Sequence, residues 1–287
     1  MARQEKLKIC LATAELTPFA KTGGLADVSA ALSAYLHREG HDVRVLMPLY
    51  SRIAKTTDGI VPVRELQNLS MRIGGNTVRY SIDAVELPGT KLPVYLLNCP
   101  AAYGRDGIYT QDEDEHLRFV LLARAAIEMC QKTGFAPDVF HAHDWHAALA
   151  PLYLKSVYAW DRLFAKTRSV LTIHNIGYQG MFPAAILPQL DLKGAEHHLH
   201  QDDLKNGIIN FLKTGVLYAD VVTTVSPTYA REIQGSEYGM GLDALLRERG
   251  GSVIGILNGV DYDEWNPEID PLISANYSRE EVSGKAK

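Results

Sequence analysis

The alternation of short apolar runs with amphipathic segments is the feature that most constrains how this chain can fold. Residues 7–16 and 41–50 have the composition of strands, and residues 23–40 between them have the apolar spacing of a helix that ends at Gly40. A strand, a helix and a second strand in this order make up the repeating unit of a parallel sheet. The alternation therefore predicts an α/β fold.

The second half of the chain repeats this alternation. Further strands are predicted at 138–145, 168–175, 220–226 and 252–259, and further helices at 112–134, 146–159, 203–219, 227–234 and 241–250. Between the two parts, residues 60–98 contain several β-rich runs separated by glycine and proline, which is typical of an antiparallel insertion at a sheet edge. The sequence thus predicts a Rossmann-like, doubly wound parallel sheet of about six or seven core strands with a β-rich insertion.

Composition narrows the class of protein. Of the 287 residues, 46% are hydrophobic and 22% are charged, and the net charge is −5. This usage excludes a disordered chain, a collagen-like fibre and a coiled coil. A nucleic-acid partner is not expected, because the chain has neither a basic balance nor a basic stripe. The sequence has no apolar run of about 18 residues, no evident signal peptide, and three scattered cysteines, which together predict a cytoplasmic protein without a membrane partner.

A glycine-containing loop joins the first predicted strand to the first predicted helix. It consists of Lys21-Thr22-Gly23-Gly24, and it is flanked by Glu15 and Asp27. Glycines let the backbone approach a ligand, the helix start offers free N–H groups, and Lys21 adds a positive charge, which together suit an anion. The spacing matches neither GxGxxG nor a P-loop, and a plain glycine turn explains it about equally well. Asp27 also suits a helix N-terminus, whereas Glu15 at the end of an apolar strand needs partners or solvent.

The densest polar cluster is His141-Ala142-His143-Asp144-Trp145-His146, at the end of a predicted strand. The first two histidines share one face of that strand, and the remaining polar residues follow at the turn. Carboxylate and imidazole groups can bind sugar hydroxyls while the Trp145 ring packs on a sugar ring. A metal site formed by the three histidines and the aspartate, as in a hydrolase, is the less favoured alternative, because a strand points His143 and Asp144 to opposite faces. For His141 alone, a histidine satisfied by its strand neighbours is the simpler interpretation.

Three further segments offer polar groups near predicted strand ends. His174 and Asn175 end one strand and provide directional hydrogen bonds without a fixed charge, although an asparagine there is also common as a turn residue. Asn258 begins an Asn-Gly pair, which is a turn signal in its own right. The loop from Tyr103 to Tyr109 is rich in glycine and aromatic residues and suits either a sugar-facing lip or an ordinary surface turn.

In combination, these segments resemble the family of bacterial glycogen synthases and plant starch synthases. The resemblance is carried, in chain order, by Glu15, Pro18–Val28, His141–His146, Thr172–Asn175, Val225–Ala230, Gly255–Asp261 and Trp265–Pro267. It covers nearly the whole chain. The patterns Lys-x-Gly-Gly-Leu, His-Asp-Trp and Asn-Gly-Val-Asp are specific together, although each alone is weak.

The resemblance implies a retaining glucosyltransferase that moves glucose from ADP-glucose, or in some members UDP-glucose, to the non-reducing end of an α-1,4-glucan, with no metal and no cofactor. It implies the GT-B fold, in which two α/β domains face a cleft. Carried over by motif, the catalytic residues are His174 and Asp144, and the donor-binding residues are Lys21, Gly23, Gly24 and Asn258. The residues that would line the glucose and acceptor region are Glu15, Asp27, Tyr103, Trp145, His146 and Asn175.

The same resemblance predicts that part of the enzyme is missing from this chain. Residues 1–265 would form the N-terminal catalytic domain and 266–287 a linker or tail, and the C-terminal GT-B domain, with most of the nucleotide pocket, would be absent. The isolated chain is therefore expected to be inactive or nearly so, and to need a separate C-terminal half as a partner. The alternative function is a non-catalytic glucan-binding or regulatory module.

Overall fold

The computed structural model describes residues 5–260, 262 and 265–287. The chain divides after Ile256 into two compact units. The first contains all the described strands and α-helices, and the second, Leu257–Lys287, consists mostly of turns and irregular segments with a short 3₁₀ helix at Ser283–Ala286. Asp261, the last residue of the Asn-Gly-Val-Asp segment, lies outside the described residues.

A ten-stranded sheet forms the centre of the first unit. The strands along the chain are β1 (Lys8–Ala12), β2 (Asp42–Pro48), β3 (Val61–Pro62), β4 (Leu69–Ile73), β5 (Asn76–Glu86), β6 (Pro93–Asn98), β7 (Val139–His143), β8 (Arg168–Ile173), β9 (Met181–Pro183), β10 (Ile208–Asn210), β11 (Val221–Thr224) and β12 (Val253–Gly255). Their order in the sheet is β12-β11-β8-β7-β1-β2-β6-β5-β3, with β4 paired to β5, while β9 and β10 form a separate antiparallel pair.

The direction of the strands confirms the predicted architecture. The seven strands from β12 to β6 run parallel to one another. Within the predicted insertion, β3, β4 and β5 pair antiparallel at one edge. The predicted end of the insertion at residue 98 is wrong, because β6 pairs parallel with β2 and belongs to the core sheet. β1 lies inside the parallel part, and its side chains from Cys10 to Ala12 are fully buried, as expected for a strand covered by helices on both faces.

The helices connect and cover the parallel strands. They are α1 (Gly24–Arg38), α2 (Ser51–Thr56), α3 (Pro100–Tyr103), α4 (Glu115–Lys132), α5 (Asp144–Ala147), α6 (Ala150–Lys155), α7 (Gln201–Lys205), α8 (Phe211–Tyr218), α9 (Pro227–Glu232) and α10 (Asp243–Glu248). Short 3₁₀ helices in the first unit cover Arg64–Leu66, Arg162–Phe164, Ala184–Leu190, Glu196–His198 and Gly250–Ser252. No described helix has both the length and the apolar character needed to cross a membrane.

The single helix predicted at 203–219 is wrong. The chain forms α7, turns at Gly207 with a left-handed φ of +76°, passes through β10 and starts α8 at Phe211. Asn210 caps α8, because its side chain accepts a hydrogen bond from the Lys213 N–H. A left-handed glycine and a capping asparagine are break signals, and the apolar spacing on either side of them obscured the break.

Two other predicted elements are shorter than expected. The helix predicted at 146–159 is divided into α5 and α6, with Pro151 in the first turn of α6, where its missing N–H costs nothing. The strand predicted at 252–259 is limited to the three residues of β12.

The order of the strands sets the place where a ligand can bind. From β1 the chain proceeds to β2 and β6 on one side, and then α4 carries it back to β7 on the other side of β1. β1 and β7 therefore flank the switch point of the sheet. In open parallel sheets, ligands bind in the crevice beyond the carboxyl ends of the strands at this point.

Candidate functional site

The predicted polar segments follow three neighbouring strands of the sheet. The glycine loop follows β1, the 141–146 cluster ends β7 and begins α5, and His174 and Asn175 follow β8. Because these strands are parallel and adjacent in the order β8-β7-β1, the three segments lie beside one another at the carboxyl ends of the strands. The switch point and the polar segments therefore coincide.

The Glu15 carboxylate organises the glycine loop. β1 ends at Ala12, so that Glu15 lies in the loop rather than at the strand end, and only 2% of it is exposed. The Thr22 hydroxyl donates to its Oε1 at 2.7 Å, and the N–H groups of Thr22 and Gly23 donate to its Oε2. Three of its hydrogen bonds thus come from the backbone and hydroxyl of the loop, which it holds in a tight turn.

The outer face of the glycine loop is open. Gly23 caps α1 in an extended conformation, and a Cβ built at Gly23 or Gly24 has no described atom within 4 Å. Packing within the described chain therefore does not require either glycine, whereas a ligand that approaches the backbone would. Lys21, at the start of the loop, pairs with Asp27 of α1 at 2.8 Å, and both side chains are about two-fifths exposed. The loop thus leaves room for a ligand at Gly23 and Gly24, beside the lysine.

Two histidines meet across β7 and β8. His143 Nδ1 and His174 Nε2 lie 2.9 Å apart. The other nitrogen of His143, Nε2, is buried with no hydrogen-bond partner among the described residues. An unpartnered lone pair is cheaper to bury than an unpartnered N–H, so the His143 proton is favoured on Nδ1, donated to His174. Burial lowers the pKa of His174 to about 4, and this imidazole is therefore neutral at pH 7.

Asp144 fixes the backbone at the end of β8. Its φ of +51° is left-handed, which is uncommon for a residue other than glycine, and the resulting turn aims the carboxylate back at the neighbouring strand end. There Oδ1 accepts a hydrogen bond of 2.7 Å from the His174 N–H. Burial raises the pKa of Asp144 to about 7, while hydrogen bonds from the backbone of His174 and Asn175 act in the opposite direction.

His141 belongs to a hydrogen-bonded row inside the sheet. Its Nε2 lies 2.6 Å from the Thr172 hydroxyl, which in turn lies 2.6 Å from the Thr223 hydroxyl. Burial lowers the pKa of His141 to about 3. This agrees with the simple interpretation of a histidine satisfied by its strand neighbours. The described residues contain no group of three or more histidine, cysteine, aspartate or glutamate side chains that could hold a metal ion.

Not every predicted residue lies at the surface of this site. Tyr103 is fully buried and donates its hydroxyl to the Arg118 carbonyl at 2.6 Å, so the structure places it in the core and not on a sugar-facing lip. His146 is also buried, stacked between Tyr109 and Trp145. Asn258 lies in the second unit and is exposed.

Three residues that sequence analysis did not select contribute to the arrangement. They are Thr22 and Tyr109, which both donate to Glu15, and His143, which contacts His174. Thr22 and His143 stand inside motifs that were recognised, but their hydrogen-bond partners come from other segments. Tyr109 lies in the aromatic loop whose first tyrosine, not its last, was selected.

The Trp145 ring rests on Gly180, and this contact provides a prediction. A Cβ at Gly180 would lie 2.3 Å from a ring carbon of Trp145, and Gly180 has a left-handed φ of +61°. Gly180→Ala should lower the free energy of unfolding by about 2–4 kcal/mol in urea denaturation, through backbone strain and the clash. Gly134→Ala is the matched control, because Gly134 has the same φ and no described atom within 4 Å of the added Cβ; it should cost only about 1 kcal/mol. Equal losses would contradict a fixed Trp145 ring.

Comparison with known proteins shows the family of the chain. Residues 8–248 match the family described as starch synthase catalytic domain. Glycogen synthase 1 of Geobacter sulfurreducens is 48% identical over 98% of this chain and 56% of its own length, and glycogen synthase of Leptothrix cholodnii is 43% identical over 98% and 58%. The catalytic domain of starch synthase IV from Arabidopsis thaliana, solved bound to ADP and acarbose, superposes with a TM-score of 0.83 at 32% identity, over 98% of this chain and 57% of that one.

The chain thus spans between half and three-fifths of the length of these relatives. The family match covers most of the chain, including the glycine loop, the 141–146 cluster and the His174 segment. The chain belongs to the starch synthase catalytic domain family.

Proposed function

We propose that this chain is the acceptor-side half of a retaining glucosyltransferase, which transfers glucose from ADP-glucose to the non-reducing end of an α-1,4-glucan. The observation that carries the proposal is the meeting of an open glycine loop with a neutral, hydrogen-bonded histidine at the switch point of the sheet. A glycogen synthase relative at 48% identity and a starch synthase neighbour bound to ADP and acarbose support this choice of substrates.

The diphosphate of the donor would lie at the glycine loop. Backbone N–H groups at the start of α1, a helix of 15 residues, favour an anion. Lys21 supplies a positive charge that would stabilise the negative charge on the leaving ADP. Its pairing with Asp27 keeps the ammonium beside the loop. The donor contact of Asn258 stays a prediction that rests on the family resemblance.

His174 would lie over the transferred glucose. Glycosyl transfer builds positive charge on the sugar ring in the transition state, as in glycoside hydrolysis. An imidazolium would repel that charge, whereas the neutral imidazole that burial enforces offers a hydrogen bond without repulsion. Asp144 positions the backbone of His174, and Trp145 and Asn175 are proposed to line the sugar beside it.

The proposed domain organisation follows from these roles. Residues 1–265 would form the N-terminal GT-B domain and 266–287 a linker, and a C-terminal half would supply the remaining contacts to the nucleotide. We propose ADP-glucose as the donor, with UDP-glucose as the alternative, and the cytoplasm as the compartment, because Cys10, Cys99 and Cys130 are free thiols.

A transfer assay tests the proposal. The chain is joined to the part of Geobacter sulfurreducens glycogen synthase 1 that it does not match, and the chimaera is incubated with radiolabelled ADP-glucose and glycogen. Label should enter α-1,4-linked glucan, while the chain alone should transfer at least about 100-fold more slowly, because several electrostatic contacts to the leaving group would be lacking.

The assay also distinguishes glucosyl transfer from the alternative function, a non-catalytic glucan-binding or regulatory module. A folded chimaera that transfers nothing, together with a chain that binds maltoheptaose in calorimetry, would support a glucan-binding module instead. Rapid transfer by the chain alone would contradict the need for a C-terminal half.

A further inference from the structure

The loop between α3 and α4 is fixed by a network of charges. Arg105 pairs with Asp112 at 2.9 Å and with Asp114. At the start of α4, the buried Glu115 carboxylate accepts hydrogen bonds from the backbone and hydroxyl of Thr110, and a buried ion pair joins it to Arg118. A loop held at both ends in this way can position a side chain without help from a ligand.

The side chain that this loop presents to the site is Tyr109. Its hydroxyl donates to Glu15 Oε1 at 2.5 Å, and its ring stacks on His146 with ring centres 4.7 Å apart and planes 19° apart. Burial raises the pKa of Tyr109 above its ordinary value, so that the hydroxyl keeps its proton and acts as the donor. Tyr109 therefore contacts two different segments of the site at once.

Tyr109 also differs from the other partners of Glu15. Within the described chain, the remaining side-chain hydrogen bonds of the Glu15 carboxylate come from Thr22 and Gly23, both in the glycine loop. Among the described residues, the Tyr109 hydroxyl is thus the donor to the Glu15 carboxylate that comes from outside the glycine loop. A buried carboxylate that loses a donor is disfavoured, so this hydrogen bond holds Glu15 against the loop between α3 and α4.

We propose that Tyr109 is a positioning residue, which ties the glycine loop to the 141–146 cluster through the Glu15 carboxylate and the His146 ring. It keeps the Thr22 and Gly23 backbone in the conformation that presents the start of α1 to an anion. The identity of that anion as the diphosphate of ADP rests on the proposed function, whereas the link between Tyr109 and the loop does not.

Tyr109→Phe tests the link, because it removes the hydroxyl and keeps the stacked ring. Amide hydrogen exchange of the full chain, followed by NMR without ligand, should accelerate roughly tenfold at Thr22 and Gly23, since a hydrogen bond to a charged group is lost. ADP affinity of the chimaera, measured by calorimetry, should fall by a similar factor. Tyr80→Phe is the matched control: the buried Tyr80, in β5 of the insertion, also donates its hydroxyl to a glutamate, Glu128 of α4, at 2.8 Å.

A second variant keeps the test decisive if Tyr109→Phe folds poorly. Glu15→Gln retains the size of the side chain and should accelerate the same two amides. The double variant should accelerate exchange by less than the two single effects combined, because both changes weaken the hydrogen bond between Tyr109 and residue 15. Unchanged exchange at Thr22 and Gly23, additive effects, or acceleration spread over β1 and α4 would overturn the proposal. If the chimaera without these substitutions binds no ADP while the exchange result holds, the proposed donor fails and the positioning role stands.

Discussion

Replacing His174 with alanine should lower glucosyl transfer by the chimaeric enzyme about a thousandfold, while ADP affinity changes by no more than about twofold. The expected loss is that of a group which stabilises charge only in the transition state. Initial rates with radiolabelled ADP-glucose and calorimetric titration with ADP measure the two quantities separately.

The physical reason lies in how the imidazole is held. His143 fixes the ring from one side, Asp144 fixes the backbone at 2.7 Å, and burial keeps the ring neutral. A neutral ring with a fixed orientation loses little conformational freedom when the substrate binds. It is already aligned when positive charge develops on the sugar. Removing it leaves the glycine loop untouched, so the donor should still bind.

His197→Ala is the control, because His197 is exposed and its ring contacts the Gly194 carbonyl and His198, away from the strand ends. Its rate should be unchanged. Alanine at 174 also leaves His143 Nδ1 without its partner, so His174→Gln is a second variant that keeps a polar group there. Equal losses of rate and of ADP affinity would show that His174 binds the donor and does not act on the transition state.

The sheet was predictable because its determinants are local. Each parallel strand is a short apolar run followed by a helical pattern, and this alternation requires crossover connections. The insertion was also predictable, since its Gly74-Gly75 turn connects adjacent antiparallel strands, β4 and β5. The resulting order of strands brings the glycine loop, the 141–146 cluster and His174 together at the carboxyl ends of β1, β7 and β8, as the motifs suggested.

The parts that could not be predicted depend on contacts distant in the sequence. Tyr103 and Tyr109 stand in the same loop with similar surroundings, and only the packing of α4 decides that the first is buried and the second reaches Glu15. The pairing of His143 with His174 depends on the register of β7 with β8, which no spacing within either motif reveals.

The free energy of unfolding of the chain should fall steeply as the pH is lowered from about 6.5 to 4.5. Urea denaturation at a series of pH values, followed by circular dichroism, measures this. Burial lowers the pKa of four histidines of the first unit below its ordinary value of 6.5: to about 3 for His141, to about 4 for His174, and well below the ordinary value for His143 and His146. In the unfolded chain the same groups take up protons near pH 6.5, so acid favours the unfolded state.

The contribution of Asp144 to the pH dependence of stability has the opposite sign. Burial raises the pKa of Asp144 from 3.8 to about 7, so the folded state holds this proton and loses stability as the pH rises from about 4 to 7. Each group contributes at most about 1.4 kcal/mol per pH unit. Near pH 5 the four histidines outweigh the single aspartate by about three protons, which gives a net slope of up to about 4 kcal/mol per pH unit. A domain stable by 5–15 kcal/mol would then unfold within a few pH units.

The change of the unfolding free energy with pH, rather than its absolute value, shows whether the buried histidines cause the loss of stability in acid. His146→Gln removes one buried histidine whose Nδ1 has no hydrogen-bond partner in the described structure, and it should reduce the slope by up to about 1.4 kcal/mol per pH unit even if the variant is less stable throughout. His197→Gln, at an exposed position, should leave the slope unchanged. A stability that is constant or increases toward pH 5 would mean that the buried histidines are protonated in the folded state, and His174 could then not serve as the neutral group that transfer requires.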